Sequence, residues 1–162
     1  MLSKRMLLTV ALGAVLFAPA GAHGEDNKAL VRRWIEQVIA KGNAAAVGDF
    51  LAPTFVAHMT VGPDLKGPDS FGQRITALHT AFPDVRYTIE DMVAEGDKVA
   101  VRLTAHGTHK GDFLGVAPSG KALTWTQILI FHIANGKFQE AWQMSDLGRQ
   151  LGLVSAQGQS KP

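Results

Sequence analysis

The spacing of apolar residues changes along the chain, from a helical period in the first half to alternation in the second. Apolar residues recur at helical spacing over residues 28–41, and Asp26 can cap the start of this helix. A second, shorter helix is expected at residues 44–51. A third helix opens at Asp69 and ends before Pro83, which cannot continue a helix. The first half therefore predicts three helices.

Alternating apolar residues predict strands in the rest of the domain. A short strand at residues 54–60 separates the second helix from the third. Four longer strands follow as two hairpins, at residues 85–95, 98–109, 121–134 and 137–145. A short helix at residues 147–151 closes the domain, with Asp146 at its N-cap position. Helices followed by a meander of strands indicate an α+β domain with helices on one side of a sheet.

The last hairpin allows a prediction about its two faces. Asn-Gly at residues 135–136 is a strong signal for a two-residue turn, which pairs Ala134 with Lys137. If no bulge follows, one face carries Trp125, Leu129, Phe131, Phe138, Trp142 and Met144. The other face then carries Ile128, Ile130, His132, Ala141 and Gln143. Both faces are apolar and the helices can cover only one, so we expect a homodimer through the other.

The N-terminus has the pattern of an export signal. Lys4 and Arg5 precede an apolar run at residues 7–17, and a small-residue cleavage site lies near Ala20 or Ala22. The run is shorter than the roughly 20 residues of a membrane span, so we expect no membrane anchor after cleavage. The predicted segments are a signal peptide at 1–22, one domain at 25–154 and a flexible tail at 155–162. The expected location is the periplasm or the medium.

Charge and composition exclude several classes of function. The chain has 16 Lys and Arg against 14 Asp and Glu, and two of the basic residues lie in the predicted signal peptide. The charges of the domain therefore balance, and no basic stripe favours nucleic acid. The absence of cysteine excludes disulfides and thiol chemistry. His106 and His109 are three apart on a strand and point to opposite faces, so we expect no metal and no cofactor.

Four phrases in a fixed order resemble the SnoaL-like family of polyketide cyclases and ester cyclases. They are Ala-Phe-Pro-Asp at 81–84, Glu-Asp at 90–91, His-Lys-Gly-Asp-Phe-Leu-Gly at 109–115 and Asn-Gly-Lys-Phe-Gln-Glu-Ala-Trp at 135–142. The resemblance implies a curved, mixed sheet wrapped with helices into a cone, as in nuclear transport factor. It also implies a central pocket, with the glycine-rich bend after residue 109 as a rim over its mouth.

The resemblance further implies where catalytic residues would lie. In polyketide cyclases of this family a pocket aspartate is the general acid/base of an aldol closure, and a histidine on the neighbouring strand assists. The aspartate position follows Trp142 and is occupied here by Gln143, and the histidine position is occupied by Leu129. A glutamine cannot exchange a proton near neutral pH, so we expect the family's known reaction to be lost. Trp142 is expected in the pocket beside these positions.

Other candidates each have a structural and a functional interpretation. Asp146 matches a second aspartate of the family and is either a helix cap or a proton-transfer group. Glu140 is either a salt-bridged strand residue or a family acid. His58 and His79 either pack within the fold or line the pocket. His109 is expected to bond the backbone of the bend that follows it.

Three alternatives for the function remain open, and the first two require the pocket. The first is a cofactor-independent acid/base catalyst of the cyclase, isomerase or hydrolase type, acting on a small hydrophobic carbonyl compound. In this case Asp146 would be the base, and His58 or His79 would orient the substrate. The second is an exported binding protein without catalysis, which holds a small hydrophobic ligand. The replacement of both catalytic positions motivates the second hypothesis. A purely structural dimeric protein is the third alternative.

Overall fold

The computed structural model describes residues 20–153, so most of the predicted signal peptide and the predicted tail lie outside it. The helices are α1 (Ala20–Trp34), α2 (Val47–Phe50), α3 (Gly67–Ala81) and α4 (Leu147–Gln150). A π-helical turn (Ile35–Ile39) continues α1, and a 3₁₀ turn (Ala44–Ala46) precedes α2. The strands are β1 (Leu51–Met59), β2 (Leu65–Lys66), β3 (Arg86–Glu95), β4 (Lys98–Thr108), β5 (Ala122–Ala134) and β6 (Lys137–Ser145). Within the described residues, no helix is long and apolar enough to cross a lipid bilayer.

The six strands form one mixed, open sheet in the order β2-β1-β6-β5-β4-β3. β1 runs parallel to β6, and every other neighbouring pair is antiparallel. The inner face of the sheet packs against α1, the π-helical turn and α3. This arrangement confirms the predicted α+β class and the cone-like fold that the family resemblance implies.

The first helix differs from the prediction at its start. α1 begins at Ala20, so the predicted cap at Asp26 is wrong, and Asp26 lies on the exposed side of the helix instead. The π-helical turn that continues α1 is followed by a bend at Gly42, which adopts φ +66°. A Cβ atom at this position would lie 2.7 Å from the ring of His79, so only glycine fits this bend.

Aromatic contacts attach the helices to the sheet. The Trp34 ring lies 5.4 Å from Phe50, 5.4 Å from Phe71 and 5.6 Å from Phe138, measured between centroids. These residues come from α1, α2, α3 and β6, and all four are buried. Replacing such a side chain with alanine typically costs roughly 3–5 kcal/mol, so this cluster is a main anchor of the fold.

The β5–β6 hairpin turns where the sequence predicts, and then departs from the predicted ladder. Ala134 lies opposite Lys137, but His132 pairs with Glu140, which leaves Gln139 as an extra residue in β6. The Gln139 amide Nε2 donates to the carbonyl oxygen of Ala134 at 2.9 Å and stabilises this β-bulge. The condition on which the predicted face assignment depends, a hairpin without a bulge, is therefore not met.

The bulge reverses the facing of every later residue of β6, because side chains alternate along a strand. Gln143 lies opposite Leu129 on the inner face, and Ala141 is buried there. Trp142 and Met144 face outward, and Met144 is 64% exposed. The predicted facing is thus wrong for these four residues of β6, whereas the facing predicted along β5 is confirmed.

The outer face of the sheet carries an apolar patch, which we call the outer patch. It consists of Val93, Ile128, Ile130, Trp142 and Met144, all exposed. Ile130 is the register partner of Trp142, and Ile128 is the register partner of Met144. The patch is therefore contiguous over β5 and β6, and the homodimer predicted from the sequence is expected to form through it.

We predict that Ile130→Lys dissociates this dimer, because a charge would be buried in an apolar interface. The measurement is sedimentation velocity at micromolar concentration, with Gln73→Lys on the exposed side of α3 as the matched control. Ile130 is 39% exposed in the single chain, so the variant should fold normally. A wild-type monomer under these conditions would contradict the dimer.

Candidate functional site

An apolar cavity lies between the helices and the inner face of the sheet, with a volume of about 70 Å³. Its lining residues are Trp34, Ile35, Ile39, Met59, Thr60, Val61, Phe71, Arg74, Ile75, Leu78, Tyr87, Leu103, Phe113, Gln127, Leu129, Phe131, Gln143, Ser145 and Leu147. Pockets for drug-sized ligands usually measure roughly 300–1,000 Å³. In this conformation the cavity therefore admits only a small molecule or one group of a larger one.

Two local irregularities bring side chains into the cavity. In the π-helical turn the amide of Ala40 bonds to the carbonyl oxygen of Ile35 at 2.8 Å, five residues earlier. This wider turn accompanies the placement of Ile35 and Ile39 in the cavity wall. The glycine-rich bend after β4 contributes Phe113, which is consistent with the predicted rim over the pocket.

Gln143, Gln127 and Tyr87 place neutral polar side chains in the wall that the sheet forms. The Gln143 amide Nε2 is 3.4 Å from Oε1 of Gln127, its diagonal neighbour on β5. The Tyr87 hydroxyl is buried, and no described atom has hydrogen-bond geometry to it, although Gln127 faces it. Burial raises the pKa of Tyr87 far above its usual value, so the hydroxyl stays protonated and is a donor without an acceptor.

One cation lines the cavity, Arg74 of α3. Its guanidinium carbon lies 5.6 Å from the centroid of the Phe113 ring, within cation–π distance. Burial lowers the pKa of Arg74 from its ordinary value, but an arginine with this partial burial remains charged. Among residues 24–153, no carboxylate lies within 4 Å of the guanidinium.

The two positions aligned with the family's catalytic groups lie together in the cavity. Leu129 and Gln143 are register partners on neighbouring strands, and both are lining residues. No Asp, Glu or His is among the residues that line the described cavity. The site can therefore donate hydrogen bonds and hold a charge on its ligand, but it lacks a side chain that accepts a proton near neutral pH.

His58 and Trp142 lie outside the cavity, on the outer face of the sheet. His58 Nδ1 is 3.0 Å from Asp64 Oδ2, and its Nε2 is 2.8 Å from Glu140 Oε1. The imidazole also stacks on the Trp142 ring at 5.6 Å between centroids. The bond to Glu140 is the main cause of a raised pKa at His58, with Asp64 next. The contact with His58 agrees with the interpretation of Glu140 as a salt-bridged strand residue.

Two further histidines have structural contacts. His79 Nε2 is 2.8 Å from the carbonyl oxygen of Ile39, at the end of the π-helical turn. His109 is fully buried, and its ring stacks on Phe82 with 5.1 Å between the centroids. Its Nδ1 accepts a hydrogen bond from the backbone amide of Ser119 at 3.4 Å. The last contact confirms that His109 bonds the backbone of the following bend. Neither histidine lines the cavity.

Asp146 also lies outside the cavity wall. It occupies the N-cap position of α4, but its carboxylate makes no capping bond, so the predicted cap is wrong. Oδ1 accepts the Thr126 amide at 2.8 Å, and Oδ2 contacts Arg149 at 3.1 Å. The Ser145 hydroxyl takes the place of the cap and accepts the Leu147 amide at 3.2 Å. Asp146 therefore joins β5 to α4.

Sequence reasoning missed Arg74, Tyr87 and Gln127. Two of them interrupt an apolar pattern: Gln127 lies at an inward position of β5, and Arg74 lies three residues after Phe71 on the stripe of α3. A polar residue within an apolar face is a signal for a buried site. For Tyr87 the sequence carries no comparable signal.

We predict that the ring of His58 titrates above the value of about 6.5 for a free histidine. Glu140→Gln should lower the pKa of His58, and Asp64→Asn should lower it less. Because the folded-state pKa is raised, the stabilisation is complete below pH about 6.5 and is lost as the pH rises through the folded value. NMR titration of the ring measures this, and an unchanged pKa in Glu140→Gln would refute the assignment.

We predict that Asp146→Ala destabilises the fold by about 1 kcal/mol, because the Thr126 amide loses its acceptor. Asp146→Asn should cost less, since its amide oxygen can still accept that bond. Urea unfolding measures both variants. Ligand affinity should be the same in all three proteins, and a large loss in Asp146→Asn at equal stability would instead support a role in the site.

The sequence comparisons agree with this geometry. Residues 29–151 match the family model described as SnoaL-like polyketide cyclase. The aklanonic acid methyl ester cyclase AcmA of Streptomyces galilaeus is 30% identical over 132 residues, which cover 78% of this chain and 91% of that protein. The aklanonic acid methyl ester cyclase DnrD of Streptomyces peucetius is 32% identical over 132 residues, which cover 76% and 88%.

A solved structure supports the same assignment. A protein of Jannaschia sp. CCS1, assigned to the SnoaL-like polyketide cyclases, superposes with a TM-score of 0.69 at 25% sequence identity. The superposition covers 86% of this chain and 96% of that one. The family model, the two cyclases and the shared cone-like fold together show that the chain belongs to the SnoaL-like polyketide cyclase family.

Proposed function

We propose that the protein binds a small, largely apolar carbonyl compound in the cavity and acts on it as a cofactor-independent, cyclase-type catalyst. Membership of a family that includes ester cyclases supports a function of this class. One structural observation carries the proposal. The hydroxyl of Tyr87 is buried in an apolar wall without an acceptor, beside the amides of Gln127 and Gln143.

These donors suit the charge that forms in a ring closure. Removing a proton from the carbon beside a carbonyl moves negative charge onto the carbonyl oxygen and gives an enolate. The enolate carbon then attacks a second carbonyl, a carbon–carbon bond forms, and the new alkoxide takes up a proton. Neutral donors that are fixed in an apolar site stabilise such an oxyanion without reorganisation. Tyr87 and the two glutamines would hold the oxygen of the enolate.

The missing base changes the rate that we expect. Gln143 cannot accept a proton, so the proton of the carbon acid would pass to water at the cavity mouth. General base catalysis contributes roughly 10²–10⁴-fold, whereas one oxyanion donor contributes about 10²–10³-fold. Losing the base while keeping several donors therefore leaves a slower catalyst rather than an inert cavity.

The second candidate is an exported binding protein without turnover. The observation in its favour is that no Asp, Glu or His lines the described cavity. An apolar pocket with a few placed donors is sufficient for binding alone. Export to the periplasm or medium remains a prediction from the N-terminal sequence and is part of this alternative.

The test is α-proton exchange of acetophenone in D₂O, followed by ¹H NMR. The proposal predicts exchange above the buffer rate, and a decrease of about 10²–10³-fold in Tyr87→Phe. This variant should keep most of the wild-type stability, because Gln127 is the one group that faces the hydroxyl and the contact falls short of a well-formed hydrogen bond. Trp142→Phe on the outer face is the matched aromatic control and should exchange at the wild-type rate.

A gain-of-function variant separates the two candidates further. Gln143→Asp places a carboxylate beside the donors and should raise the exchange rate roughly 10²–10⁴-fold, whereas Gln143→Asn should not. If acetophenone shifts the melting temperature but neither the wild type nor Gln143→Asp accelerates exchange, the catalytic proposal fails. The binding alternative would then stand.

A further inference from the structure

Arg74 is a charge that is half-withdrawn from water and has no anionic partner. Its guanidinium lines an otherwise apolar wall, and the described residues offer it neither a hydrogen bond nor a carboxylate within 4 Å. The guanidinium lies over the face of Phe113, and its N–H groups remain available to solvent or to a ligand. A partly desolvated cation in an apolar wall gains from an anionic partner, so Arg74 is a candidate contact for a ligand.

Gly62 and Phe113 lie next to the guanidinium of Arg74. The acidic residues closest to these two in sequence, Asp64 and Asp112, are hydrogen-bonded to other groups. Asp64, two residues after Gly62, holds His58 and the amide of Met59. Asp112, next to Phe113, accepts the amide of Gly115 at 3.3 Å. Neither carboxylate is within ion-pair distance of Arg74, although both lie in the loops that surround it. The loops thus leave the guanidinium free for a ligand.

The backbone at Gly62 lies close to the guanidinium. Gly62 adopts φ +83°, a conformation that favours glycine, and a Cβ atom there would lie 2.8 Å from Nη2 of Arg74. A larger residue would displace this end of the arginine side chain. Gly62 on one side and Phe113 on another therefore border the position that the guanidinium occupies.

We propose that Arg74 is an anion anchor and that the ligand of this cavity is a small carboxylate with an apolar body. This inference rests on the proposed binding function and specifies its ligand class. Arginine binds a carboxylate through two parallel N–H···O bonds, which suits a fixed guanidinium. Arg74 belongs to the helix wall, whereas Tyr87, Gln127 and Gln143 belong to the sheet wall. A second, neutral oxygen of the ligand would meet the sheet wall.

The anchor would set this chain apart from a catalyst of neutral esters. The cyclases that it resembles are named for a methyl ester, in which the carboxyl group carries no charge. The cavity of about 70 Å³ further restricts the ligand to a small body. A short aliphatic acid meets both requirements, and a monocyclic aromatic acid meets them with one of its groups inside the cavity.

The experiment compares acids with amides of the same shape. Binding of benzoate and benzamide, and of propionate and propionamide, is measured by calorimetry on the full domain at pH 7. We expect each acid to bind at least ten-fold more tightly than its amide. Arg74→Met should abolish this preference, and Arg74→Lys should keep part of it, because lysine retains the charge without the planar fork.

Controls separate an anchor from a structural residue. Arg74→Met should melt at or above the wild-type temperature, since it removes an unpaired charge. Arg102→Met, exposed on the outer face of β4, should keep the full preference for acids. Equal binding of acids and amides, no binding of either acid, or an unchanged preference in Arg74→Met would each overturn the inference.

The binding experiment with acids and amides and the exchange experiment with acetophenone can succeed or fail separately. If the acids bind through Arg74 but acetophenone shows no exchange, the catalytic proposal fails and the anchor stands. If exchange occurs and only neutral compounds bind, the anchor fails and the catalytic proposal stands.

Discussion

One extra residue in β6 determines the chemistry of the cavity. The bulge at Gln139 shifts the ladder by one position, and every later side chain of the strand changes face. Gln143 therefore reaches the cavity, opposite Leu129, and Trp142 lies outside with His58. Without the bulge, an indole would face Leu129 in place of an amide. The polar character of the sheet wall depends on this one irregularity.

The cavity that results combines donors with a cation and offers no base. Tyr87, Gln127 and Gln143 present neutral hydrogen-bonding groups, and Arg74 presents a positive charge from the opposite wall. The acidic and imidazole groups near the site are all bonded elsewhere, as His58 is with Asp64 and Glu140. Such a site favours ligands rich in oxygen acceptors. It stabilises negative charge on them better than it removes their protons.

Much of the fold could be predicted from local patterns, but the site could not. The alternation of β4 and β5 and the Asn-Gly turn are short-range signals, and the strands lie where they indicate. The bulge is stabilised by a side-chain bond from Gln139 to the backbone of β5, which no local pattern reveals. For the same reason a ladder without the bulge gives Gln143 the wrong face, whereas the family resemblance predicts it in the pocket beside Leu129. The ligand environment of Arg74 depends on Gly62 and Phe113, which lie far apart in sequence.

The bulged register of β5 and β6 can be tested directly in solution. Backbone and side-chain NOEs measured by NMR report which residue lies opposite Leu129. The bulged register predicts NOEs between Leu129 and Gln143, and between the side-chain amides of Gln143 and Gln127. NOEs that instead place Trp142 opposite Leu129 would show a continuous ladder without the bulge. That result would remove Gln143 from the cavity and contradict the proposed site.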